Sequence, residues 1–144
     1  MLSQTTEYAL RAVMHLSTLP RDQAATSQVI ADHTQVPKGY LSKVLRDLVV
    51  AEIVTSVRGP SGGFILARPP EAITILDVVS AVDPIKRIEK CPLGNPAHVN
   101  LCPLHRRLDE AIASVERGFR ETTLDDLRDP APLPGSQCNR LGRL

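Results

Sequence analysis

The spacing of apolar positions changes several times along the chain, and each change marks a new element. Over residues 5–19, Tyr8, Val13, Leu16 and Leu19 recur among small or polar neighbours, with Ala9, Leu10 and Ala12 beside them. That pattern predicts an amphipathic helix ending before Pro20. The polar stretch RDQAAT leads into SQVIADHTQV, a short helix capped by Thr26 or Ser27, with Val29 and Ile30 inward and Ala24 and Ala25 at its approach. It ends near His33 and Thr34. From Pro37, a residue suited to a first helical turn, PKGYLSKVLRDLVVAE sets Leu41, Val44, Leu45 and Leu48 on one stripe of a further helix. IVTSVR and FILAR then read as two strands joined by the turn GPSGG. After Pro69 and Pro70, ITILDVVSAVD returns to helical spacing through Ile75, Val78, Val79 and Val82, with Thr74 as the expected N-cap. Pro84, Pro92, Gly94 and Pro96 exclude a continuous helix over 84–101. Pro103 opens a last amphipathic helix carrying Leu104, Leu108, Ala111, Ile112 and Val115. From Asp129 the chain is rich in Pro and Gly and poor in apolar residues, so disorder is expected there.

Two helices joined by a tight turn form a helix-turn-helix, and a hairpin directly behind makes it a winged helix. The expected class is therefore mainly α with a small β-hairpin wing, followed by a long helix. The expected division is 1–83 for the winged helix, 84–102 for a cysteine-bearing segment, 103–128 for the long helix and a C-terminal segment, and 129–144 for the tail. Composition sharpens this. With 144 residues, 42% hydrophobic and 23% charged, the chain is long and apolar enough to build a core and is no disordered polyelectrolyte. Aromatics are 3% with no Trp, which removes the stacking platforms of single-strand binders. No apolar run is long enough to span a membrane, and the first residues lack a basic region and a cleavage site, so a cytoplasmic location is expected.

Net charge is only +1, so any nucleic-acid site must be local. Between Lys38 and Arg68, Lys38, Lys43, Arg46, Arg58 and Arg68 face only Asp47 and Glu52, a local charge of +3. With the apolar stripe inward, Lys38, Gly39, Ser42, Lys43 and Arg46 point out, and Tyr40 lies on the flank. Long donors on such a helix reach base edges or phosphates in a major groove. Arg58 stands at the base of a loop with few side chains, a shape that enters a minor groove. The plainer alternatives are a solvated helix face, an ordinary surface hairpin and a Tyr40 packed on the core edge.

The run KGYLSKVLRDLVVAEIVTSVRGPSGGFILARPPEAITILDVVSAVD, the opening TTEYALRAVMHL and a cysteine-bearing loop before a long helix closely resemble the BadM/Rrf2-type winged-helix transcriptional regulators, the family of IscR, NsrR and CymR. The resemblance spans roughly residues 1–128. It implies a homodimer whose long helix, here from about Pro103, crosses to the partner, and a double-stranded operator with two-fold pseudo-symmetry. It further implies DNA contacts from Ser27, Gln28, the start of the second helix at Pro37, Lys38, Gly39, Tyr40, Ser42 and Lys43, and the wing residues Arg58, Gly59 and Ser61. Whether such a regulator represses or activates stays open.

Of the three cysteines, Cys138 lies in the tail and has no expected role. The others sit in CPLGNPAHVNLCPLH, ten residues apart, with His105 three beyond Cys102. Family members that sense iron or nitric oxide hold an iron–sulfur cluster with three cysteines in this loop; here the middle one is absent. The resemblance implies a mixed ligand set of Cys91, Cys102, His105 and Glu7 from the partner chain, with His98 as the alternative. A two-iron two-sulfur cluster ranks ahead of a four-iron four-sulfur one. The C-x10-C spacing is not by itself a metal signature. A cluster-free thiol switch using Cys91 and Cys102, and structurally idle cysteines, remain alternatives. His15 and His33 fall within helices and read as packing or surface residues. An enzyme is not expected: Cys102 with His105 has the makings of a nucleophile and base, but no third group orients them and no phosphate-binding glycine fingerprint follows a strand. A winged helix used only for protein contacts is a further alternative, against which the local positive charge argues.

Overall fold

The computed structural model describes residues 1–97 and 99–128. The expectations for His98, Cys138 and the tail from Asp129 therefore lie outside the described residues.

Helix α1, Gln4–Thr18, starts one residue earlier than its apolar period predicts because the Ser3 hydroxyl accepts the Thr6 N–H at 3.2 Å. Its buried face is small: Ala9, Ala12 and Val13 are fully covered, which lets α2 (Ser27–Thr34), α3 (Lys38–Val50) and α4 (Ile75–Val82) all pack on it. Thr26 caps α2 through the Val29 N–H. Val29 itself corrects the expected inner face, for it is 41% exposed, while Ile30, Ala31 and Thr34 of α2 and Val36 in the turn take the interior. The α2–α3 turn is set by Gln35 in the left-handed region and by Pro37, which caps α3 from outside.

Leu41, Val44, Leu45 and Leu48 are buried as the period predicts. Burying each stabilises the fold by roughly 1.5–3 kcal/mol. The helix stops in a Schellman-type turn: Glu52 adopts a positive φ, and the Ile53 N–H donates to the Leu48 carbonyl at 3.0 Å while both side chains are buried. Strands β1 (Val54–Val57) and β2 (Gly63–Leu66) pair antiparallel in the register Val54 to Leu66 and Val57 to Gly63. The Thr74 and Asp77 capping box opens α4. The chain between α4 and the last helix, α5 (Pro103–Glu121), forms no helix or strand among the described residues.

A pair of backbone hydrogen bonds ties the wing to the helices. Ala25, just before α2, exchanges both with Phe64 of β2, at 3.0 and 2.8 Å. Gly63 adopts φ +144°, and a Cβ there would fall on the Ala25 carbonyl. The glycine is required for this close approach. Gly63→Ala is expected to lower stability to urea by roughly 1–3 kcal/mol and to lose hydrogen-exchange protection at the Ala25 amide. Unchanged protection at that amide would contradict the docking.

Candidate nucleic-acid interface and sensor segment

With its leucines inward, α3 presents Lys38, Gly39, Tyr40, Ser42, Lys43 and Arg46 to solvent. Pro37 and Gln28 are exposed beside them, and Ser27 is half-buried in the first turn of α2. The two helices are joined across this face, since the Lys38 ammonium donates to Gln28 Oε1 at 3.0 Å and the Gln28 amide donates to Asp32 at 2.9 Å. Tyr40 is 59% exposed, its ring tilted against Tyr8 with centroids 5.9 Å apart, so it is held at the core edge yet open to a partner. Gly39 has nothing within 4 Å of where a Cβ would sit. On the wing, Arg58, Gly59 and Ser61 are exposed, and the tip forms a groove with the α1–α2 loop lined by Gln23, Thr26, Pro60 and Gly62.

The cations of the chain are of two kinds, paired and free, and free ones also occur away from this face, at Arg21, Lys86, Lys90, Arg106 and Arg117 among the described residues. Arg11, Arg87, Arg107, Arg120 and Arg128 are each tied to a carboxylate. Among the described residues, Lys43, Arg46 and Arg58 have no ion-pair or hydrogen-bond partner. Lys43 and Arg46 on the exposed side of α3 and Arg58 in the wing are thus free to meet a phosphate backbone.

The second candidate centre is the start of α5. Cys102 is its N-cap, and one turn on, the His105 ring lies with Nδ1 3.1 Å from Cys102 Sγ. Cys91 is half-buried in a separate turn closed by the Gly94 N–H on its carbonyl. Glu7, on the far side of the sequence, accepts from Arg11 at 3.0 Å. Behind this segment Arg87 forms a bidentate pair with Asp109 of α5, at 2.7 and 2.6 Å, and the Ile88 N–H donates to the same carboxylate at 2.9 Å. Glu116 lies 3.8 Å from Arg87. This strap binds the 84–90 stretch along α5.

A family model described as the Rrf2 iron-dependent transcriptional regulator matches residues 2–130. A protein of Aquifex aeolicus assigned as an HTH-type transcriptional regulator is 34% identical over 129 residues, covering 87% of this chain and 89% of its own. The chain belongs to the Rrf2 family of transcriptional regulators. The structure of CymR, the global cysteine regulator of B. subtilis, superposes with TM-score 0.74 at 26% identity, covering 88% of this chain and 95% of CymR. T. potens IscR shares the fold with TM-score 0.75 at 22% identity, over 94% and 93% of the two chains. The winged helix is therefore that of a DNA-binding regulator, and the Cys102–His105 contact is not a catalytic dyad. No helix among the described residues is long and apolar enough to cross a membrane.

Within the Rrf2 fold, thiolates and an imidazole suit an iron–sulfur group in kind. Among the described residues, only Cys102 and His105 of these come together. No three of His, Cys, Asp and Glu converge among the described residues. Sequence reasoning missed the Arg87–Asp109–Glu116 strap, because nothing local marks residues that meet only when a proline-broken segment doubles back. The Arg87 guanidinium and then the Ile88 N–H hold the Asp109 carboxyl at about 2, below its usual range. Since the folded value is depressed, the strap is in force above the ordinary carboxylate range and is lost only as pH falls through about 2. An NMR titration should place Asp109 there, and Arg87→Gln should move it up toward the ordinary value. An Asp109 midpoint unaffected by that substitution would contradict the strap.

Proposed function

We propose that this Rrf2 regulator acts as a cytoplasmic homodimer on an operator with two-fold pseudo-symmetry, reading it with the start of α3 and with the wing. The observation that carries this reading is the set of unpaired, exposed cations Lys43, Arg46 and Arg58 on a chain whose net charge is only +1. Lys38, Gly39, Tyr40 and Ser42 line the same helix start, and Ser27, Gln28 and Pro37 flank it. The wing contributes Arg58 with Gly59 and Ser61, and the guanidinium responds to minor-groove width. Dimerisation is supported by α5, which has an apolar stripe but no buried residue in the single chain. Leu104 and Leu108 are 63% and 46% exposed, and Leu108, Ala111, Ile112 and Val115 line an apolar trough with Met1, Leu2 and Ile88. A second copy of the same stripe is the occupant that covers it.

Arg58→Ala is expected to weaken binding to a cognate duplex and to flatten the dependence of log K on log salt by about one unit, the signature of one lost phosphate contact. An unchanged isotherm and salt slope would contradict the wing's role.

The signal enters through the 91–105 segment. Cys91, Cys102 and His105, with Glu7 of the partner chain and His98 as the alternative, would hold an iron–sulfur cluster, two-iron two-sulfur in preference. When bound, such a cluster supplies one-electron redox chemistry and reactivity toward iron supply or nitric oxide. The chain's own part is mechanical: residues 83–102, which include Cys91 and Cys102, join α4 to α5 and are strapped to α5 at Arg87, so a change of packing there shifts the dimer helix and the spacing of the two α3 helices. Protein isolated without oxygen should show visible iron–sulfur absorption with matching iron and sulfide, and Cys102→Ser should lose it. Colourless, iron-free protein after reconstitution would contradict the cluster and leave the two thiols as the switch.

A further inference from the structure

His15 lies in the last turn of α1 and His33 in the last turn of α2. Their imidazoles stack on each other, centroids 4.8 Å apart and planes inclined by 18°. Nε2 of His15 and Nδ1 of His33 are sealed from solvent and have no hydrogen-bond partner among the described residues. A neutral imidazole leaves at most one weak acceptor idle in such a place. An imidazolium carries N–H at both nitrogens, so protonation buries a donor with no acceptor and sets like charges face to face.

The surroundings provide no counter-charge. On α1, Arg11 is held by Glu7 and reaches the Thr34 carbonyl at 3.5 Å. On α2, Asp32 is taken by the Gln28 amide. Lys38, Lys43, Arg46 and Asp47 of α3 and Asp77 and Asp83 of α4 complete the charged groups of the helices packed on α1, and Arg128 donates to the Ser17 carbonyl while paired with Asp125. His15 is held below the ordinary histidine value, first by burial and then by the neighbouring His33, the one charge that acts on it among the described residues.

We propose that the stacked His15–His33 pair is an acid-sensitive latch: proton uptake by the pair loosens α2 from α1 and so weakens DNA binding. The proposal rests on the DNA-binding role of this face, since α2 carries Ser27 and Gln28 and is tied to α3 through Gln28 and Lys38. Linkage sets the sign. A depressed folded value means that the loosened chain takes up protons more readily, so the latched state is favoured above about pH 6.5 and loses ground as pH falls below it.

The test uses the full chain and a fluorescein-labelled duplex selected from a random pool at pH 7.5, with anisotropy read from pH 7.5 to 5.5 at constant ionic strength. The wild-type Kd should weaken about tenfold over that range, that of His15→Gln by no more than about twofold, and that of His33→Gln by less than the wild type's, since the burial of His15 persists there. His33→Phe, which keeps the ring stack without the charge, serves if Gln unsettles the helices. By NMR, the His15 midpoint should rise in either His33 variant, and the α2 amides of the free wild type should have lower protection factors, relative to the intrinsic exchange rate, at pH 5.5 than at pH 7.5. Equal pH slopes in wild type and His15→Gln, or α2 protection factors unchanged between the two pH values, would overturn the latch. Failure of the wild type to bind any duplex at pH 7.5 would count against the DNA reading instead, and the exchange measurement would still decide the latch.

Discussion

The structure depends on how closely helices can approach the small face of α1. Ala9, Ala12 and Val13 leave room for α2, α3 and α4 to pack on one helix, and the leucine stripe of α3 fills the resulting core. That burial leaves α3 one rotational setting. With Leu41, Val44, Leu45 and Leu48 inside, Lys43 and Arg46 have to face water, and the proposed reading surface is a by-product of core packing. The wing is fixed by the same logic at shorter range, because Gly63 lets β2 bond to Ala25 at the threshold of α2. Helix α3 and the wing are thus positioned by the same packed core.

The second half of the chain obeys a different rule. Helix α5, ~28 Å long at 1.5 Å per residue, buries nothing of its own, and the chain is anchored after it. Leu124 is fully buried, its N–H donates to the Ile73 carbonyl, and the Ile75 N–H donates to Thr122. The stem is fixed and the apolar stripe is offered outward, as expected of a helix completed by a second copy. Charge is divided in the same way. Arg87, Arg107 and Arg120 are paired with carboxylates on and around α5, whereas Lys43, Arg46 and Arg58 have no partner among the described residues. Near-zero net charge therefore conceals a strong local asymmetry.

Much of this was legible in the sequence because it is local. The periods of α1, α3, α4 and α5, the Thr74 cap and the GPSGG turn each express a rule confined to a few neighbouring residues, and the motifs of the wing carried the family. What the sequence hid is contact between distant segments. Val29 fits a helical stripe, yet it is exposed, while Val36, beyond the turn, is buried. The bond between Ala25 and Phe64, the Arg87–Asp109 strap and the stacking of His15 on His33 each join residues whose proximity only the completed fold determines. The cysteine-bearing segment was legible in residue types alone: Cys102 and His105 meet because they lie one turn apart, whereas Cys91 is separated by a run of prolines that no period governs.

If two copies of one rigid reading surface meet DNA together, the duplex itself records their symmetry. Hydroxyl-radical footprinting of a selected duplex reads it. Two protected patches related by two-fold symmetry are expected on one face of the duplex, their centres about 10 base pairs, or a multiple of that, apart. A single unsymmetrical patch, or protection spread evenly along the duplex, would contradict the paired reading surface.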